Sequence, residues 1–347
     1  IAGTIHDASG ASIPGAQITV RNLETGAVRH LTSNGEGHYS APALPVGRYQ
    51  VTAEKPGFST QSETGINLVV GQSAGIDLSL AVGKVAQQIS VTDVPLTINT
   101  TTQQTSGLVS ARQVKELPLN GRSYDELITL NPATVNYTAE RTGGVGTSNS
   151  SPGNMFAVAG HRPQDNLYLL NGIEYTGASE INVLPGGTSG QLLGVDAVRE
   201  FNVVSDTYGA DYGKRTGAQI SIDTESGSNK LHGSAFEFIR NSALDARNYF
   251  DHGNIPTFQR NQFGGALGGP LVKNKLLLFG NYEGYRQNLG LSDVTYVPDN
   301  ATRAAAVPSV QPLLALWPVQ DAELGQGIGI AYSHPLQHMS EDFGTAR

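Results

Sequence analysis

Long polar loops and one tight turn alternate in the last third of the chain, and this asymmetry constrains the fold more than any other feature. Alternating apolar and polar residues predict strands at LHGSAFEFIR, NQFGGALGGPL, LLLFGNYEGYRQ and EDFGTAR. A long loop follows the first strand, the turn Lys273 to Lys275 follows the second, and a loop of about fifty residues follows the third. Short turns at one end and long loops at the other are typical of transmembrane β-barrels, whereas soluble sandwiches more often keep both ends short.

These strands carry apolar residues at every second position. Phe236 and Phe238 share one face of the first strand with Ser234, and Glu237 and Ile239 lie on the other, so one face suits an apolar surrounding. The second and third strands each place three apolar side chains on one face: Phe263, Leu267 and Leu271, then Leu276, Leu278 and Tyr282. No apolar run of about 18 residues predicts a transmembrane helix.

The first part of the chain, residues 1–82, consists of short alternating runs separated by turn residues, which predicts an all-β sandwich. The expected core residues are Ile18, Val20, Leu44, Tyr49, Val51, Ile66, Leu68, Ile76, Leu78 and Leu80. Gly71 to Gly75 spells G-x-S-x-G, the nucleophile elbow of α/β-hydrolases. That elbow requires a helix after the serine, and because a strand-like segment follows Ser73, a hairpin turn is the preferred interpretation.

Residues 83–107 are rich in Thr and Gln and predict an extended connector. The connector contains one β-prone stretch, Gln88, Ile89, Ser90, Val91 and Thr92. This stretch is either a further strand of the sandwich or a peptide that pairs with the sheet edge of another protein.

Residues 108–230 predict a small α+β domain with long glycine-rich loops. Ser110 with Gln113, and Ser123 with Glu126, have the spacing of capping boxes and predict two short helices. Asn171-Gly172 between two apolar runs predicts a type I′ hairpin turn.

Composition excludes several classes of function. The formal net charge of −8 at pH 7, without a basic stripe, argues against nucleic-acid binding. Because cysteine is absent, disulfides, thiolate catalysis and cysteine-based zinc sites are excluded from these residues. The sequence predicts no cofactor, no metal site and no catalytic residue, so we expect a protein that is not an enzyme.

Several long, consecutive motifs resemble a known family. Residues 1–82 resemble the carboxypeptidase-regulatory-like domain, a transthyretin-like sandwich, through GTIHDASGASIPGAQITV and TSNGEGHYSAPALPVGRYQVTAEKPGF. VKELPLNGRSYDELITLNPAT, FAVAGHRPQDNLYLLNGIEY and RNQFGGALGGPLVKNKLLLFGNYEGYRQ resemble TonB-dependent outer-membrane receptors of the Oar-like type. The resemblance extends over about residues 1–290.

The resemblance implies a mainly β fold in which residues 108–230 are an α+β plug and residues 231–347 are the first strands of an outer-membrane β-barrel. Since the family's barrels have about 22 strands, we expect this chain to be the N-terminal part of a longer protein. The start at Ile1 likewise suggests a processed or cut chain. The implied location is the bacterial outer membrane, with the sandwich in the periplasm.

The resemblance also implies a transport mechanism. The periplasmic TonB protein would capture a short extended segment, for which Gln88 to Thr92 is the candidate, while outer-membrane lipid and an unknown ligand are the other partners. The glycine-rich loops 141–154 and 184–191 are candidates for reaching the ligand. Candidate ion pairs between plug and barrel would join arginines to carboxylates of the barrel wall: Arg122, Arg162, Arg199 and Arg215 with Glu237 and Glu283.

Two alternatives remain open from the residues alone. A secreted or cell-surface adhesive protein built of serial β-domains would explain the sandwich and the low content of charged residues, but not the capped helices or the asymmetric loops. A secreted hydrolase rests on Ser73 alone.

Overall fold

The structure, a computed structural model, describes residues 1–83, 87–88, 105–119, 122–136, 155–174, 194–206, 209, 212–246, 255–290, 293–333 and 336–347. The fold is mainly β. Two compact units are present. The first comprises Ile1–Ser234, Gly265–Tyr282 and Phe343–Arg347, and the second Ala235–Gly264 and Glu283–Asp342.

The N-terminal residues form a two-sheet sandwich, as predicted. Its strands are β1 (Ala2–Asp7), β2 (Gln17–Asn22), β3 (Val28–Thr32), β4 (His38–Ser40), β5 (Gly47–Glu54), β6 (Gln61–Leu68), β7 (Leu78–Leu80) and β8 (Gln87–Gln88). One sheet has the order β4-β1-β7 and the other β3-β2-β5-β6-β8. Eight of the ten predicted core residues are buried, and Leu44 and Ile76 pack against this core while partly exposed.

The segment Gly71 to Gly75 is not a hairpin turn. Strand β6 before it belongs to one sheet and strand β7 after it belongs to the other, so the segment crosses between the sheets. The prediction of a hairpin was wrong because the packing of the sheets sets the order of strands, and local turn residues do not encode that packing. The next element is strand β7, as the sequence indicated, and the helix that a nucleophile elbow requires does not follow Ser73.

Residues 105–230, which we call the central domain, combine short helices with a five-stranded sheet. Its strands are β9 (Thr105–Val109), β10 (Thr134–Asn136), β11 (Phe156–Val158), β12 (Leu167–Leu170), β13 (Ile173–Glu174), β14 (Val198–Asp206) and β15 (Gln219–Thr224). Its helices are α1 (Ala111–Glu116) and the 3-10 helices Tyr124–Leu130, Pro163–Asp165 and Val195–Ala197. The sheet order is β13-β12-β15-β14-β9, and β10 pairs with β11.

Of the local sequence predictions in the central domain, one capping box and the hairpin turn are confirmed, and the second capping box is not. Ser110 and Gln113 form the predicted capping box, and both Asn171 and Gly172 have positive φ, as a type I′ turn requires. The prediction of a capping box at Ser123 is wrong. The Ser123 hydroxyl bonds to the carboxylate of Asp125 instead, and the helix that follows is of the 3-10 type.

The last residues form a four-stranded sheet in the order β16-β17-β18-β22, which we call the C-terminal sheet. Its strands are β16 (His232–Asn241), β17 (Phe258–Val272), β18 (Leu276–Gly290) and β22 (Leu336–Ala346), and the 3-10 helix Ser242–Leu244 follows β16. The four predicted strands and the turn Lys273 to Lys275 are confirmed. In the described part of the chain, no helix is long and apolar enough to cross a membrane.

The loop of about fifty residues before β22 contains secondary structure that the sequence did not predict. Its elements are β19 (Asp293–Pro298), α2 (Asn300–Ala305), α3 (Gln311–Leu314), β20 (Ala322–Gly325) and β21 (Ile328–Ser333). Strand β21 lies between β19 and β20 and pairs antiparallel with both.

Candidate functional site

Strand β18 exposes its apolar face and buries its polar face, which is the reverse of a strand in a soluble protein. Its exposed face carries Leu276, Leu278 and Tyr282, each with about half of its surface accessible. The alternate face is buried and mostly polar: Phe279, Asn281, Glu283, Tyr285 and Gln287. A strand has this pattern when its outer face meets lipid and its inner face meets a polar interior.

Strand β17 continues this pattern. Leu267 and Leu271 are exposed by 62% and 65%, whereas Gln262 is buried and donates a hydrogen bond to Glu283. On β16, Ser234 donates to the central domain instead, and Phe236 and Phe238 lie on the same face as Ser234 because side chains alternate along a strand. Phe238 is nevertheless 50% exposed, and Ile239 on the other face of β16 is 66% exposed, so β16 adds to the exposed apolar surface of β17 and β18.

An ionic link connects the central domain to the start of β16. Asp196, in the 3-10 helix Val195–Ala197, accepts from Arg122 Nη2 at 2.6 Å and from Ser234 Oγ at 2.7 Å. The side chains of Arg122 and Asp196 are only 12% and 11% exposed. Arg122 also has φ of 56°, a conformation that non-glycine residues rarely adopt. Because the surroundings fix both partners, Asp196 is a rigid connection between the central domain and the first strand of the C-terminal sheet.

The other end of the C-terminal sheet also contacts the central domain. Arg347 Nη1 donates to Thr224 O at 2.8 Å and to Asn171 Oδ1 at 3.2 Å, and lies 3.8 Å from Asp223 Oδ1. Burial raises the pKa of the Asp223 carboxyl, and the nearby Arg347 opposes this shift.

A close backbone approach adds a third contact between the central domain and the C-terminal sheet. A Cβ atom on Gly227 would lie 2.6 to 2.8 Å from backbone atoms of Leu278 in β18. Glycine is therefore required where the chain leaves the central domain and passes this strand.

Two carboxylates join the sandwich to the central domain. Glu24 accepts from Arg199 Nη2 at 3.1 Å and from Arg48 Nε at 3.3 Å. Although burial lowers the pKa of the Arg199 guanidinium, neighbouring carboxylates, Glu24 first, outweigh that effect and raise it. Glu200 accepts from the backbone N–H of Val70 at 2.7 Å, and burial raises the pKa of this carboxyl. Sandwich and central domain are thus held together by charge-assisted hydrogen bonds from two adjacent residues of β14.

The structure places the arginines proposed for plug–barrel ion pairs at other contacts. Arg199 bonds to Glu24 of the sandwich, Arg122 to Asp196, and Arg215 Nη1 to the backbone oxygen of Gln164 at 2.6 Å. Arg162 lies at the start of the 3-10 helix Pro163–Asp165, where its backbone N–H donates to Asp165.

The two proposed carboxylate partners differ in burial. Glu283 is fully buried beside Gln262, and Glu237 is exposed. The pairing of either glutamate with Arg162, Arg199 or Arg215 stays a prediction for the complete protein.

Only the first residue of the candidate TonB segment is described. Gln88 belongs to β8, which pairs in parallel with β6 so that Gln88 lies opposite Ser62. Ile89, Ser90, Val91 and Thr92 lie outside the described residues, as do the loops 141–154 and 184–191. Across the described residues, no group of three or more His, Asp or Glu side chains could hold a metal ion.

Sequence reasoning missed Asp196 and Arg347, the two charged residues that link the central domain to the C-terminal sheet. It had expected cations on the central domain and carboxylates on the strands, whereas Arg347 follows strand β22 and Asp223 lies in the central domain. The turn-like GVDAV before a strand gave no local signal for Asp196, whose partners are 38 and 74 residues away.

Two protein-family models match parts of this chain, and both agree with the fold and with the burial pattern of β18. Residues 1–81 match the carboxypeptidase regulatory-like domain, and residues 223–337 match the outer membrane beta barrel domain. An N-terminal sandwich and an outer-membrane barrel domain are therefore both present in this chain.

The chain is homologous to the TonB-dependent transporter Oar of Myxococcus xanthus, with 24% identity over 301 residues. The match covers 81% of this chain and 26% of that protein, so the chain spans about a quarter of its relative's length. Among solved structures, the outer membrane transporter YddB from Escherichia coli is similar over 69% of this chain and 30% of its own, with 15% identity and a TM-score of 0.39. The homologous protein from Myxococcus xanthus is a transporter by name, and this homology together with the matched outer membrane beta barrel domain supports an outer-membrane location.

Proposed function

We propose that this chain belongs to a TonB-dependent transporter that moves a ligand across the outer membrane. The sandwich lies in the periplasm, the central domain acts as the plug, and the C-terminal sheet begins the barrel wall. The observation that carries the proposal is the pattern of burial in β18, where one face exposes apolar residues and the other buries polar ones. The link from Asp196 to Ser234 supports it, because a plug must be attached to the wall that surrounds it.

Energy from TonB enters through Gln88 to Thr92 in this proposal. TonB captures this segment by adding it to a sheet edge, so that backbone hydrogen bonds supply most of the affinity. Gln87 and Gln88 pair with β6 at the edge of the sandwich sheet, so in this proposal TonB binds the residues that follow this pairing or displaces it. The segment lies between the sandwich and the central domain, where a pulling force reaches the plug directly.

Ligand binding is assigned to the loops 141–154 and 184–191, which a rigid domain presents. Binding and transport require no covalent chemistry, so we propose a function that is not enzymatic.

Cell fractionation tests the proposed location. The full-length protein in its native host is expected in the outer-membrane fraction, and protease added to intact cells is expected to cut within residues 291–335. The exposed side chains of Leu316 and Trp317 make this segment accessible. Recovery of the protein from the culture medium would contradict the proposal and favour a secreted β protein.

Cysteine cross-linking tests the energy-coupling segment. Because these 347 residues contain no cysteine, a single one can be introduced by Gln88→Cys or Val91→Cys without background from this part of the protein. Either variant is expected to form a disulfide with a single-cysteine TonB, whereas Ser73→Cys on the exposed loop of the sandwich is not. Equal cross-linking at all three positions, or none at 88 and 91, would exclude the segment.

A further inference from the structure

A cavity of about 650 Å³ lies where the sandwich, the central domain and the turn between β17 and β18 meet. Asn229 connects two of its walls: its backbone N–H donates to Glu24 O at 2.8 Å, and its amide exchanges hydrogen bonds with Asn274 at 2.7 and 2.8 Å. The cavity has the size of a small-molecule site and opens to the surface.

The lining of this cavity is strongly basic although the chain as a whole is acidic. Five arginine or lysine side chains line it: Arg21, Arg48, Arg199, Lys230 and Lys273. Two carboxylates also line it, Glu24 and Glu225, and both form ion pairs, with Arg48 and Arg199 and with Lys115 respectively. An excess of three positive charges therefore surrounds a concave surface in a chain of net charge −8.

Three of these cations are available for a ligand. Within the described part of the chain, no ion pair is formed by Arg21, Lys230 or Lys273, and all three are exposed. Clusters of lysine and arginine around a concave surface favour phosphate groups, which accept several charge-assisted hydrogen bonds at once.

Apolar surface begins directly beside these cations. Lys230 is followed by Leu231, which is 76% exposed, and Lys273 is preceded by Leu271 and Val272, which are exposed by 65% and 50%. Leu276, two residues after Asn274, continues the exposed face of β18. Basic groups at the end of an apolar strand surface match the boundary between lipid headgroups and acyl chains.

We propose that this cavity binds the phosphate headgroup of an anionic phospholipid, with the acyl chains along Leu271, Leu276 and Leu278. The proposal rests on the outer-membrane location proposed above, since the tight turns of such barrels lie on the periplasmic side, next to a phospholipid leaflet. Because Arg21 and Arg48 come from the sandwich, the bound headgroup also fixes the sandwich against the wall at this turn.

Lipid titration of the full-length protein in a neutral detergent tests this site. Phosphatidylglycerol, zwitterionic phosphatidylcholine and inorganic phosphate are added separately, and bound lipid is counted by native mass spectrometry. We expect phosphatidylglycerol to bind more than tenfold tighter than phosphatidylcholine. The triple variant Arg21→Gln, Lys230→Gln, Lys273→Gln is expected to bind it about 100-fold more weakly, since each cation near an anionic surface contributes about fivefold.

A matched control removes three cations that do not line the cavity: Arg112→Gln, Lys214→Gln and Lys275→Gln. Lys275 lies in the same turn as Lys273, so this control separates the cavity from general attraction to basic residues. Its phosphatidylglycerol affinity is expected to stay within about threefold of the unmodified protein. The double variant Lys230→Arg, Lys273→Arg keeps the charges and is expected to retain binding.

Three results would overturn the proposal: no preference for phosphatidylglycerol, equal losses in the two triple variants, or displacement of the lipid by millimolar inorganic phosphate. The last result would assign the cavity to free phosphate. Cavity-dependent lipid binding by a protein that is absent from the outer membrane would overturn the proposed location alone. An outer-membrane protein without charge-dependent lipid binding would overturn this inference alone.

Discussion

Replacing Asp196 by alanine is expected to lower the free energy of unfolding of the central domain by about 3 kcal/mol, because it leaves a buried guanidinium without this carboxylate. Arg122 and Asp196 are both nearly buried and 2.6 Å apart, so the loss exceeds that of a surface ion pair. The substitution also removes the acceptor of Ser234, and with it a link to the first strand of the C-terminal sheet.

Native-state hydrogen exchange of the full-length protein in detergent measures this effect. Amides of β14 and β15 in the Asp196→Ala variant are expected to exchange about 100-fold faster, since about 1.4 kcal/mol corresponds to a tenfold change. Asp196→Asn, which keeps two acceptor lone pairs without the charge, is expected to lose less. Ser234→Ala removes only the link to β16 and is expected to leave β14 and β15 nearly unchanged. Equal exchange rates in Asp196→Ala and the unmodified protein would exclude a structural role for this ion pair.

The parts of the fold that follow from short-range periodicity could be predicted from the sequence. Alternation with period two gave the sandwich and the strands β16, β17, β18 and β22, because burial on one side of a sheet forces that pattern. The turn Lys273 to Lys275 and the type I′ turn at Asn171 followed from turn chemistry.

Local signals failed where a nearby side chain engaged a capping hydroxyl or where strand order mattered. The Ser123 hydroxyl donates to the Asp125 carboxylate and accepts no hydrogen bond from a backbone N–H of the helix, so the capping box does not form. The segment Gly71 to Gly75 has hairpin chemistry, but β6 and β7 belong to different sheets. Neither the bond from Ser123 to Asp125 nor the placing of β6 and β7 in different sheets could be predicted from these short segments alone.

The partners in long-range charge pairs could not be predicted from the sequence. Arg199 bonds to Glu24, 175 residues earlier, and Arg347 to Thr224, 123 residues earlier. No periodicity connects such positions, because their proximity is created by the packing of whole domains. The family resemblance predicted ion pairs between the central domain and the barrel wall, but only the structure identifies Asp196 and Arg347 at the C-terminal sheet and Glu24 at the sandwich.

Replacing Phe201 by alanine is expected to destabilise the central domain by about 3 to 5 kcal/mol, because it leaves a cavity in a closely packed core. Phe201 is 1% exposed, lies opposite Ile222 of β15 and Val109 of β9, and meets the ring of Tyr124 edge-on at 6.2 Å. The matched control is Ile173→Ala in the β12–β13 hairpin, a residue 74% exposed, for which little change is expected.

The distribution of the loss tests whether the central domain is an independent plug. Among the described residues, the core around Phe201 contains only side chains between Val109 and Ile222 and none from the C-terminal sheet. Faster hydrogen exchange in the Phe201→Ala variant is therefore expected in β9, β14 and β15, with β17 and β18 unchanged. Equal acceleration in β18 would mean that the two regions unfold together. Since a plug that opens for a ligand must change while the barrel wall persists, that result would contradict the proposed mechanism of transport.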